Sequence, residues 1–157
     1  MKKIIGIVIL IILIVPILHG CDKFINTDKL EKELCEDILK YLENGDNEEL
    51  KKMFCNKTLA NENIDEQIQE AIDFFKGKII SYDLNIGSCG ESFKDGKREY
   101  LTLSPYIENI ETDKNIKYKI RFYTYIVCAE DSDKVGISKI SVESDSGEEC
   151  IIGEYIE

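Results

Sequence analysis

The side chains that could do chemistry in this chain are carboxylates, tyrosines, lysines and thiols. Its single histidine is His19, and it has no tryptophan. His19 falls in an apolar leader, so the remaining chain lacks the commonest general base, and Ser-His-Asp and Cys-His catalysis and His-containing zinc sites are all removed. Acid–base work without histidine needs a carboxylate in apolar surroundings and a tyrosine that stabilises a developing oxyanion. Asp83 beside Tyr82, with Tyr118 on a predicted central strand, is the best set available for that role. A plain structural reading competes with it, because Asp83 ends a predicted strand and Tyr118 alternates with core positions. As ligand-contacting aromatics the candidates are Tyr82, Tyr100 and Tyr118, joined by Asp83.

The thiols offer less. Cys35, Cys55, Cys89, Cys128 and Cys150 stand at wide spacings with no C-x-x-C pair, so nothing favours zinc, and an odd set allows two disulfides at most. Small buried hydrophobes are the expected role of Cys35 and Cys128. Asp131 and Asp133 before Gly136 suggest a calcium loop only until position 142 is read. An EF-hand counted from Asp131 needs a bidentate Glu there, and this chain has Val142. Neither metal nor cofactor is expected.

The elements that must hold these residues follow from periodicity. Asp28 and Glu31 open a helix in capping-box style, Leu30, Leu34, Ile38, Tyr41 and Leu42 give its apolar stripe, and Asn44-Gly45 stops it. Asp46 to Glu49 starts a brief second helix that turns Leu50, Met53 and Phe54 inward. A third, from Glu62 to Lys76, carries Ile64, Ile68, Ala71, Ile72 and Phe75 on one face. After Gly77 the period changes to two. Strands are predicted over Lys78 to Ile86 and Glu91 to Phe93, the latter pairing with Lys97 to Leu103 around the hairpin dipeptide Asp95-Gly96. Ile116 to Cys128 is the clearest strand. Tyr118, Ile120, Phe122 and Thr124 should meet the helices, leaving Lys117, Arg121, Tyr123 and Tyr125 on the other face as a candidate interaction surface. Strands from Ile137 to Glu143 and from Cys150 to Ile156 complete an antiparallel sheet.

The N-terminus gives an address. Lys2-Lys3 precedes fifteen uncharged residues, Ile4 to Leu18. At about 1.5 Å per residue that run spans about 22 Å, short of the roughly 30 Å hydrocarbon core, which fits a removed signal better than a membrane span. The ending Leu18-His19-Gly20-Cys21 resembles the lipobox of bacterial lipoproteins, in which the cysteine thiol accepts diacylglycerol and the peptide is cut just before it. The resemblance implies a signal peptide at residues 1–20, a lipidated tether at 21–27 anchored through Cys21, and a single α+β domain at 28–157, on the extracytoplasmic face of the cell membrane. Lys2 and Lys3 leave with the signal, so 18 basic residues face 31 acidic ones, a net charge of −13. That surface repels nucleic acid and anionic headgroups.

The stretch from Asp37 through Asn44-Gly-Asp-Asn-Glu-Glu-Leu-Lys-Lys-Met-Phe54, then Ile64-Asp-Glu-Gln-Ile68 and Asp73-Phe-Phe-Lys-Gly-Lys-Ile-Ile-Ser81, resembles an uncharacterised family of small Gram-positive lipoproteins with a nuclear transport factor 2-like (cystatin-like) fold. Thr112-Asp113 and Gly136 fit the same pattern, which extends from about Glu36 to Val142. The resemblance implies helices closing over the concave face of a curved antiparallel sheet. It implies no reaction, since the family has no established catalytic residues to carry over, and fold analogy cannot choose one. The expected role is a non-catalytic module that binds a small ligand or assists a membrane protein partner. The alternatives are interaction or homodimerisation through the sheet face, and a histidine-free isomerase or dehydratase.

Overall fold

The computed structural model describes residues 25–156. The expected signal peptide and Cys21 lie outside them. No helix among the described residues is long and apolar enough to cross a membrane. Among the described residues, four helices precede a five-stranded antiparallel sheet in the order β1-β2-β3-β4-β5, so the α+β class expected from the sequence is the class observed.

Helix α1 spans Thr27–Asn44. Its cap differs from the expectation. Asn26, not Asp28, accepts the Lys29 N–H at 3.0 Å, so the helix starts two residues early and Glu31 turns inward instead of reaching back to a cap. The buried stripe is accordingly Glu31, Cys35, Ile38, Leu39 and Leu42, with Leu30, Leu34 and Tyr41 half-buried along its flanks. Gly45, left-handed at φ 68°, ends the helix, as Gly does where a side chain would be strained. Asp46 then caps α2, Asn47–Lys52, by accepting the Glu49 N–H at 3.2 Å. A short α3, Asn56–Leu59, was not anticipated; four residues carry too little periodicity to be read. Helix α4, Ile64–Phe74, buries Ile64, Ile68 and Ala71.

The hairpin forms at Asp95-Gly96, with both residues at positive φ (52° and 75°) as a type I′ turn requires. Its strands are much longer than predicted: β1 runs Ile79–Lys94 and β2 Lys97–Thr112, sixteen residues each. Three register shifts before Ser88 break the two-residue period of β1, which hid its continuity from sequence. Strands β3, Lys117–Cys128, β4, Gly136–Ser144, and β5, Glu149–Gly153, follow as a meander.

One apolar layer joins helices to sheet. Ile38, Leu42, Leu50, Phe54, Ile68 and Ala71 from the helical side meet Ile107, Ile110, Ile120, Phe122, Ile140 and Ile152 from the strands, and none exceeds 5% exposure. Two backbone bonds fasten the layers directly: Ile137 N–H donates to the Met53 carbonyl, and Cys55 N–H to the Ile137 carbonyl, each at 2.9 Å. This approach requires Gly136. It sits at φ 122°, and a Cβ there would lie 2.8 Å from the Cys55 nitrogen. Gly136→Ala is therefore expected to destabilise the fold by about 2 kcal/mol or more, measured by urea unfolding. A variant within 0.5 kcal/mol of the parent, about the scatter of neutral surface changes, would show that the close approach is not needed.

Candidate functional site

The Asp83–Tyr118 pair is not assembled. Leu84 pairs with Ile107 and Ile107 with Ile120, a row that faces the helices, so Asp83, one residue along, projects from the opposite face. It is exposed and accepts a 2.7 Å hydrogen bond from Asn109. Tyr118 is 4% exposed and is occupied as a helix cap. Its hydroxyl accepts the Lys76 N–H and donates to the Phe74 carbonyl, both at 3.0 Å, while its ring stacks on Phe75 at 4.6 Å. Burial raises its pKa, against the opposing Lys76 bond. Tyr118 thus satisfies the end of α4, where backbone groups lack helical partners.

Nor do the expected ligand aromatics converge. Tyr82 lies at a register shift on the exposed edge strand β1, and Tyr100 lies toward the far end of β2, paired with Cys128. The space between helices and sheet that was to hold a ligand is filled by the core side chains described above. Of the two cysteines expected inside, Cys35 is buried and Cys128 only half-buried, while Cys55 is 1% exposed. Burial pushes the Cys35 thiol up to about 12, which suppresses the reactive thiolate.

The β3 face named as an interaction surface does form outside. Its cations differ in their commitments. Lys117 pairs with Glu111 at 2.6 Å, and Lys119 with Glu143 at 3.4 Å. Arg121 has no ion pair among the described residues. It borders a concavity of about 180 Å³ shared with Tyr106, Tyr123, Lys139, Glu149 and Tyr155. Register explains the gathering: Arg121 pairs with Tyr106 on one side and Ser141 on the other, and Tyr123 pairs with Lys139. Tyr155, just beyond β5, folds back so that its ring meets Tyr123 edge-on at 5.6 Å and lies under the Lys139 ammonium at 4.7 Å. Ser141 donates to Glu149 and holds that carboxylate. Tyr123 also meets Tyr125 edge-on at 5.6 Å. Burial first, and the Tyr123 hydroxyl second, push the Tyr125 phenol up to about 12.

Sequence reasoning missed Lys139, Ser141, Glu149 and Tyr155. The alternation of Lys139 and Ser141 with buried Ile140 and Val142 placed the first two outside, but only pairing brought them beside Arg121. For Tyr155 no local signal existed.

Glu31 is the remaining unusual ionisable group. It is 3% exposed. Its Oε2 accepts the Gly87 N–H at 3.1 Å, while Oε1 has no partner. Burial raises its pKa, against the Gly87 bond and with a smaller push from Asp28.

A family model described as a domain of unknown function (DUF5104) matches residues 37–146. No curated protein matches the chain. The matched span contains Arg121, Tyr123, Lys139 and Ser141 and stops short of Glu149 and Tyr155.

Two measurements check these assignments. Tyr118→Phe should cost about 1–3 kcal/mol, since it leaves the Phe74 carbonyl and Lys76 N–H short of a partner, whereas Asp83→Asn should stay within about 0.5 kcal/mol. Equal effects in chemical denaturation would contradict the helix-cap role. For Glu31, a pKa raised on folding gives stability that is complete below the unfolded value, about pH 4.5, and is lost as pH rises through the folded value. Glu31→Gln should therefore unfold at higher denaturant than the parent at pH 7, with the difference shrinking toward pH 4. The opposite order at pH 7 would overturn the account.

Proposed function

We propose a role for this chain from one premise: it belongs to the DUF5104 family, a domain of unknown function. The role is that of a lipid-anchored extracytoplasmic module with a nuclear transport factor 2-like arrangement of helices over a curled sheet. It works by non-catalytic binding, or as an accessory to a membrane partner, through the outer face of that sheet.

The observation that carries the binding half is the contrast between the two faces. The concave face is filled by side chains no more than 5% exposed, leaving no room there for the ligand that a cone of this type could hold. The outer face keeps an uncommitted guanidinium among tyrosines. Such a mix of aromatic walls and a few polar groups suits recognition.

The address rests on Lys2-Lys3, the uncharged run from Ile4 to Leu18, and the ending Leu18-His19-Gly20-Cys21. A thioether-linked diacylglycerol with a further acyl chain exceeds the two-signal threshold for stable attachment, at about 0.8 kcal/mol per buried methylene. From Asp22 to Thr27 six residues reach at most about 20 Å, which would keep the domain beside the bilayer. The full chain expressed in a Gram-positive host with an alkynyl fatty acid should take up label and sediment with membranes, and Cys21→Ala should do neither. Label that persists on the Cys21→Ala variant would sink the anchor, as would a parent protein recovered unlabelled from the cytoplasm.

A further inference from the structure

We propose that the concavity between Arg121, Lys139 and Tyr155 is a binding site for a small monocarboxylate with a ring-sized body. The proposal rests on the reading of the outer sheet face as the working surface, and it names the ligand class for that face.

Charge sets the anionic end. In a chain with 31 acidic residues against 20 basic ones, an arginine without a carboxylate partner is uncommon company. The carboxylate that lines the hollow, Glu149, is held by the Ser141 hydroxyl, and Glu143, a diagonal neighbour of Arg121 on β4, is paired with Lys119. The second cation, Lys139, lies over the Tyr155 ring instead of in an ion pair. Arg121 pairs with Ser141 and Tyr123 with Lys139, so the two cations stem from diagonal positions across β3 and β4, whose backbones lie about 7–8 Å apart by ordinary antiparallel spacing. One carboxylate between them can take both: the guanidinium offers a planar fork that fits two oxygens, and the ammonium adds a point charge. Arg121 and Lys139 against Glu149 leave a local charge of +1. That balances one carboxylate. It leaves a phosphate dianion in excess, facing Glu149.

Size and walls set the other end. The hollow is about 180 Å³, below the roughly 300 Å³ at which drug-sized pockets begin and slightly above a cavity of about 150 Å³ that takes up benzene. Tyr106, Tyr123 and Tyr155 supply aromatic surface around it, and the edge-on contact of Tyr123 with Tyr155 leaves ring area on which a ring-bodied ligand can lie. The diffuse negative field of the rest of the chain slows the approach of any anion. Occupancy therefore depends on the local pair of cations, and that makes the site testable by single substitutions.

The test uses the full chain in detergent micelles, labelled with 13C on tyrosine rings and titrated with benzoate, benzamide and phenyl phosphate at neutral pH. Benzoate should shift the resonances of Tyr106, Tyr123 and Tyr155 and leave Tyr118 unmoved. Benzamide and phenyl phosphate should bind at least tenfold more weakly. Arg121→Gln and, separately, Lys139→Gln should each weaken benzoate at least tenfold. The Arg121 guanidinium has no ion pair among the described residues, so Arg121→Gln should keep the parent's unfolding midpoint. Benzamide binding as tightly as benzoate would overturn the proposal, as would an Arg121→Gln titration matching the parent or tyrosine shifts confined to Tyr100 and Tyr125. That last result would leave the outer-face reading standing, whereas loss of the Cys21 anchor would remove the address without changing any of these titrations.

Discussion

Exclusion of water from one layer, between α1, α2 and α4 and the inner face of the sheet, is the constraint on which the rest of this structure depends. Helices α2 and α4 are too short to persist alone, α1 has an apolar stripe to bury, and a meander of five strands needs one face covered. Joining them satisfies both requirements. The backbone bridge between Met53–Cys55 and Ile137 fixes how closely the layers approach, and Gly136 permits it by lacking a Cβ. The polar groups admitted to this layer are nearly all partnered: Tyr118 closes the end of α4, and Gln67 accepts the Gly153 N–H at 2.9 Å, tying α4 to β5. One oxygen of Glu31 is the exception.

Filling that layer decides where function can reside. A cone of helices over a sheet can enclose a cavity only if its inner residues are small or withdrawn, and Ile107, Ile110, Ile120 and Phe122 are neither. The side chains free to meet another molecule are then those of the opposite face. There the charges are unevenly committed. Lys117 and Lys119 answer carboxylates on neighbouring strands, whereas Arg121 and Lys139 stand among aromatic rings. A net charge of −11 over the whole chain makes that local reversal of sign stand out against the field around it.

The sequence by itself determined the periodicities, and with them the α+β class, the helical order, the hairpin at Asp95-Gly96 and the assignment of Tyr118, Ile120 and Phe122 to one face of β3 with Arg121 and Tyr123 to the other. Those follow from local rules: a side chain's face is set by a repeat of 3.6 or 2, and a turn by residues that tolerate positive φ. It also limited the chemistry, because the absence of histidine beyond position 19 needs no coordinates. Only the tertiary structure decided which polar groups meet. Asp83 and Tyr118 fell on opposite faces because Leu84, in a row with Ile107 and Ile120, took the core-facing position beside Asp83, a pairing that only the assembled sheet decides. Glu31 went inside because packing against the sheet selected the stripe of Cys35, Ile38, Leu39 and Leu42, on which Glu31 lies. Arg121, Lys139 and Tyr155 came together through strand pairing and a folded-back end, contacts between residues up to thirty-four positions apart. Their partners are chosen by the packing of the whole chain, and no local pattern encodes that choice.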